Sequence, residues 1–90
     1  IGFQTLVVSG TAQSITPTEG ATSAIFQVES TNAIDAIRYR QDGPAPTSTV
    51  GIFQGNTAVI ELTTAENIRN FKVIAGAGAG TTQLNIIYFK

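Results

Sequence analysis

Residues 36–55 read AIRYRQDGPAPTSTVGIFQG, and this stretch decides the fold. Ile37, Arg38, Tyr39 and Arg40 alternate apolar with charged side chains, the two-residue period of a strand with one buried and one wet face. Asp42, Gly43 and Pro44 then break the strand: Asp42 can cap its own turn, Gly43 permits a positive φ, and Pro44 removes a backbone donor. Pro46 stiffens Ala45, and the hydroxyls of Thr47, Ser48 and Thr49 can satisfy the loop's backbone. Gly51 returns the chain to Ile52 and Phe53. Asp42, Gly43, Pro44, Pro46 and Gly51 are therefore expected to form a structural loop.

On the N-terminal side, Phe3–Ser9 (FQTLVVS) is rich in β-branched residues and ends at Gly10, and Ala12–Ile15 either continues it or pairs back on it. Thr16-Pro17-Thr18-Glu19-Gly20 has the composition of a turn. In Ala24–Glu29 the alternation puts Ala24, Phe26 and Val28 on one face and Ile25, Gln27 and Glu29 on the other, with Phe26 and Val28 in the core. Ser30–Asp35 is polar and turn-prone. On the C-terminal side, Gly55-Asn56 is a turn before a strand at Ala58–Leu62. Thr63–Asn70 holds the one helical signal: Thr63 or Thr64 caps a single turn that crosses between sheets, with Ile68 and Phe71 closing an end of the core. Phe71–Ala75 is a strand with Phe71 and Val73 inward and Lys72 outward. Gly76–Gly80 (GAGAG) is expected to be a hairpin loop. In Leu84–Phe89, Leu84, Ile86 and Tyr88 share one face while Ile87 and Phe89 share the other, so this strand is expected to be covered twice, by the core and by something outside it.

Short strands separated by turn signals predict a single all-β domain over residues 1–90. It is expected to be an antiparallel β-sandwich of jelly-roll or immunoglobulin-like type with at most one short helical turn. A domain of 90 residues buries only about 60–65% of the surface of its unfolded chain, so an oligomeric contact would support its small core. Few charges guard the strand edges, and at least one edge or face is expected to be closed by another subunit.

Composition excludes several chemistries. Cysteine and histidine are both absent, which removes disulfides, thiolate metal sites, the usual general base and the usual zinc ligand. With five basic and six acidic residues the chain lacks the clustered cations that nucleic acid or an anionic membrane rewards. No apolar run approaches the roughly 18–20 residues of a membrane crossing. The chain opens on Ile1, so either a leader has been removed or the numbering begins where order begins.

The same stretch carries a family resemblance. Ile37-Arg38-Tyr39-Arg40-Gln41-Asp42-Gly43 followed by Pro46-Thr47 and Val50-Gly51 resembles a pattern of small structural proteins of tailed bacteriophages, an I/V-R-W/Y-R-x-D-G strand end running into an A-P-T-x-x-V-G loop. Looser matches follow in order: the entry to a strand within Ala12–Ala24, the A-E-x-I-x-N-F segment at Ala65–Phe71, and the L-N-I-x-Y-F ending at Leu84–Phe89. The resemblance implies a non-enzymatic virion component assembled in the host cytoplasm. The expected role is a capsid decoration or cement protein bridging major capsid subunits as a homo-oligomer, a trimer being favoured. A tail, neck or head-fibre part is the alternative, and a carbohydrate- or receptor-binding β-sandwich is a third reading, with no Trp and only Tyr39 and Tyr88 to serve it.

No spacing of residues supports catalysis, a cofactor or a metal. The acids Glu19, Glu29, Asp35, Asp42, Glu61 and Glu66 are scattered, the alternating oxygen ligands of a calcium loop are missing around Asp42, and Gly76–Gly80 lacks the glycine spacing of a phosphate loop. The expected partner-contact residues are Arg38, Arg40, Ile87 and Phe89. Arg38 and Arg40 share a strand face, where they either pair with acids such as Glu29 or Glu61 or bridge to carboxylates of a partner. Tyr39 is expected in the core with its hydroxyl at the rim.

Overall fold

The computed structural model describes residues 1–31, 36–47, 50–76 and 81–90. Among these residues eight strands and one helix follow one another as β1 (Gly2–Val7), β2 (Gln13–Ser14), β3 (Ser23–Ser30), β4 (Ile37–Arg40), β5 (Ile52–Gln54), β6 (Val59–Leu62), α1 (Ala65–Asn70), β7 (Lys72–Ala75) and β8 (Thr82–Phe89). They form two four-stranded sheets, ordered β1-β8-β3-β6 and β2-β7-β4-β5, and every pairing is antiparallel. The first strand pairs with the last, the second with the seventh, the third with the sixth and the fourth with the fifth. That nested order is a long hairpin rolled up so that successive pairs fall in alternate sheets, a jelly roll. An immunoglobulin order would put the first two strands side by side in one sheet, and here β1 and β2 lie in different sheets.

Among the described residues only β4 and β5 are consecutive strands that pair with each other. The proline loop between them is therefore the tip of the rolled hairpin. In that loop Gly43 and Gly51 have φ of 108° and 128°. Thr47 and Val50 exchange backbone bonds of 2.9 and 3.3 Å, and the Thr47 hydroxyl accepts from the Val50 amide at 2.9 Å.

Two expectations about connections are corrected. Ala12–Ile15 does not pair back on β1; its strand β2 pairs with β7 of the other sheet, while Ile15 turns into the core. Residues 77–80 of the expected GAGAG hairpin lie outside the described residues, as do 32–35 and 48–49. The strands flanking that glycine run, β7 and β8, belong to different sheets, so they are not hairpin partners. In both places a turn signal joins flanks that do not pair, because in a jelly roll the chain turns in order to change sheets.

The two sheets pack their inner faces together. Ala24, Phe26 and Val28 of β3 and Leu84, Ile86 and Tyr88 of β8 meet Ile37 and Tyr39 of β4 and Val73 of β7. Three rings tie the layers: Phe26 stands edge-on to Tyr39 at 5.8 Å between centroids, and Phe71 lies 5.2 Å from Phe26 and 5.6 Å from Tyr39. Helix α1 carries the chain from β6 to β7. The Thr64 hydroxyl accepts from the Asn67 amide at 3.0 Å, satisfying one of the free donors of the first turn, and Ile68 is buried.

Candidate functional site

The outer face of the β1-β8-β3-β6 sheet is built by strand register. Phe3 of β1 lies opposite Ile87 of β8, Ile87 opposite Ile25 of β3, and Ile25 opposite Glu61 of β6. Phe89 follows one step along the same face, opposite Ser23. The relative exposures of Phe3, Ile25, Ile87 and Phe89 are 64%, 38%, 47% and 41%. On a sheet face these neighbours touch sideways, so together with Ile1 they make one continuous apolar patch on the order of 400–500 Å², the size at which a monomer's largest patch is often functional. Beyond it the face is mixed, with exposed Val59 opposite Gln27 and exposed Val7 opposite Gln83 among polar residues. Thr5, Asn85 and Gln27 form the middle row, and in the next row Glu29 accepts from Gln83 Nε2 at 3.3 Å and Asn85 Nδ2 at 3.0 Å.

The outer face of the β2-β7-β4-β5 sheet is cationic. Ser14, Lys72 and Arg40 share one row, and Ile74, Arg38 and Phe53 share the next. Lys72 and Arg40 are like charges directly opposite each other, an unfavourable pair by itself. Asp42 relieves it: its carboxylate accepts from Arg40 Nε at 2.9 Å and from Nη2 at 2.5 Å, a bidentate fork. That hydrogen bond to Arg40 holds the Asp42 carboxyl below its usual range and raises the Arg40 guanidinium. Arg38 lies over the Phe53 ring, with Cζ 4.9 Å from the centroid, and donates from Nη1 to the Gly51 carbonyl at 3.2 Å.

The four expected partner-contact residues thus fall on two opposite faces of the sandwich. Arg38 and Arg40 share one face, as their alternation implies, and Ile87 and Phe89 share the other. The expectation that Glu29 or Glu61 would pair with the arginines is corrected. Both acids lie on the far sheet, a core's thickness away, and Arg40 takes the nearer carboxylate of Asp42. Asp42 is accordingly more than a turn residue, and the loop it opens is positioned by both arginines.

Two contributors to the apolar surface lie outside the expected contact set, although the alternation of β3 does place Ile25 outward. Phe3 and Ile25 complete the apolar row only because β8 separates their strands. Gln4 holds a junction inside the sandwich, accepting from the Tyr88 hydroxyl at 2.6 Å and from the Thr16 amide at 3.1 Å. Burial pushes the Tyr88 phenol up to about 12. Burial also raises Tyr39, against an opposing pull from Gln54 and Gln41.

Among the described residues no three His, Cys, Asp or Glu gather as a metal-ligand group, and no helix is long and apolar enough to cross a membrane. The chain matches no family model, no curated protein and no solved structure.

Proposed function

We propose that the chain is a non-enzymatic structural protein of a tailed-bacteriophage particle, a decoration or cement protein that binds the assembled shell across neighbouring major capsid subunits. The observation that carries this reading is the apolar row Phe3–Ile87–Ile25 with Phe89, left exposed on the outer face of a sheet whose inner face already has its core. Such a face gains by being covered, and a rigid sheet presents it with little ordering to lose on binding. The resemblance of residues 37–51 to phage structural proteins supplies the particle, and the cationic face around Arg38, Arg40 and Lys72 offers a second contact. A protein that binds the shell and not the free subunits stabilises the shell by mass action.

The test is the copy number of the chain in purified particles by quantitative mass spectrometry, with thermal disruption of particles that carry and lack it. About one copy per shell subunit and a raised disruption temperature are expected, because a decoration repeats with the lattice. A few per cent of that number would move the chain to the tail or neck. Absence from particles would end the virion reading, and equal disruption temperatures would end the cement role. Ile87→Lys, on the exposed face, should keep the fold and lose the binding.

A further inference from the structure

A strand at the edge of a sheet exposes unpaired backbone groups, and proteins usually guard such edges with shortness, charge or proline. Three of the four edges here are guarded. β2 has two residues, β5 has three, and β6 has four with Glu61 among them. β1 is different: six residues long, it contains no Pro, and residues 1–18 contain no charged side chain, the first being Glu19.

The register shows which of its groups are open. Val8 donates to the Thr82 carbonyl at 3.0 Å, so the alternation of an antiparallel ladder turns Gly2, Gln4 and Leu6 toward β8. The backbone groups of Phe3, Thr5 and Val7 then face the free edge. The side chains of the same three residues lie on the outer face, and Phe3 and Val7 are each 64% exposed.

We infer that the chain self-associates about a two-fold axis, β1 pairing antiparallel with β1 of a second copy and Thr5 lying on the axis. In that register Phe3 faces the second copy's Val7, Thr5 faces its own counterpart, and Val7 faces the second copy's Phe3. These are hydrogen-bonded pairs on both sides, so all the open donors and acceptors of Phe3, Thr5 and Val7 are satisfied together. The side chains are self-complementary too. The larger Phe3 covers the smaller Val7, two threonine hydroxyls meet on the axis, and no charge opposes its own copy. Two four-stranded sheets become one of eight, with the apolar row of each copy extended by Val7 of the other. The second copy is favoured over an unrelated strand because the outward sequence Phe3-Thr5-Val7 is matched about its own centre. The trimer favoured for a decoration protein names no surface; this edge does. One added strand buries less than the roughly 1,000 Å² of a tight interface, so the dimer belongs to the weak, concentration-dependent class.

The test needs only the purified chain, so its failure is separable from that of the virion reading. Sedimentation velocity over a hundredfold range of concentration should show a monomer–dimer equilibrium. Thr5→Lys and Thr5→Glu each place like charges on the axis and should weaken the dimer by about two- to fivefold. Mixing the two variants in equal amounts should restore it, and added salt should partly rescue each alone. Thr5→Pro should weaken it as far without touching a bond to β8, because the lost donor faces the free edge. Circular dichroism and the thermal midpoint report whether each variant is folded. A wild-type chain that stays monomeric throughout, a trimer, or a dimer indifferent to the charge swap would each overturn the inference.

Discussion

At the scale of single residues, the loop that tips the fold depends on Gly51. Its φ of 128° is a region that L side chains avoid, and a Cβ there would sit 3.1 Å from both the Tyr39 carbonyl oxygen and the Pro46 Cβ. Gly51→Ala is expected to cost about 1–3 kcal/mol in urea unfolding. Tyr88 sets a pH limit. In the unfolded chain its phenol titrates near 10, and in the folded protein near about 12. Between those values the unfolded chain has lost a proton that the folded one keeps, so stability is complete below about pH 10 and falls as pH rises toward 12. After discounting for solvent screening the loss is about 1–2 kcal/mol from Tyr88, with Tyr39 adding in the same direction. Urea midpoints measured from pH 8 to about 12 should show that fall, and Tyr88→Phe should make it shallower. The glycine was legible in the sequence because a turn demands it locally. The junction at Gln4 was not, since its partners are 12 and 84 residues away.

At the scale of elements, the strand assignments came from the period-two pattern, and β3, β4 and β8 show it with inward and outward sets as expected. The pattern says which side of a strand is buried and nothing about what lies beside it. The pairing of β2 and the β7–β8 connection therefore differ from expectation: turn composition marks a change of direction and does not specify whether the chain stays in its sheet. The helix is short enough that its cap matters. Thr64→Ala removes the acceptor for the Asn67 amide and should lower stability by about 0.5–2 kcal/mol in thermal or urea unfolding. Thr64→Ser, which keeps a hydroxyl, should recover most of it.

At the scale of the whole molecule, the aromatic cluster of Phe26, Tyr39 and Phe71 joins both sheets, so neither sheet has a core of its own. Unfolding is expected to be a single cooperative event. Far-ultraviolet dichroism and tyrosine fluorescence should give coincident urea curves, and separate midpoints would show that the sheets come apart independently. Phe26→Ala should destabilise both probes equally, by about 3–5 kcal/mol. What the sequence by itself determined is the local chemistry: all-β character, the inward and outward faces of most strands, the capped turn of helix, and a proline loop closing β4. Each of these depends on residues within a few positions of one another. The tertiary structure alone decided which strands are neighbours, and hence that Phe3, Ile25 and Ile87 form one patch, that the arginines and Glu29 lie on opposite faces, and that β1 is left with a free edge. All but one of the links between consecutive strands change sheets, so nearly every pairing joins segments far apart in the chain. What selects those pairings is the closing of one shared core, and no local pattern encodes that.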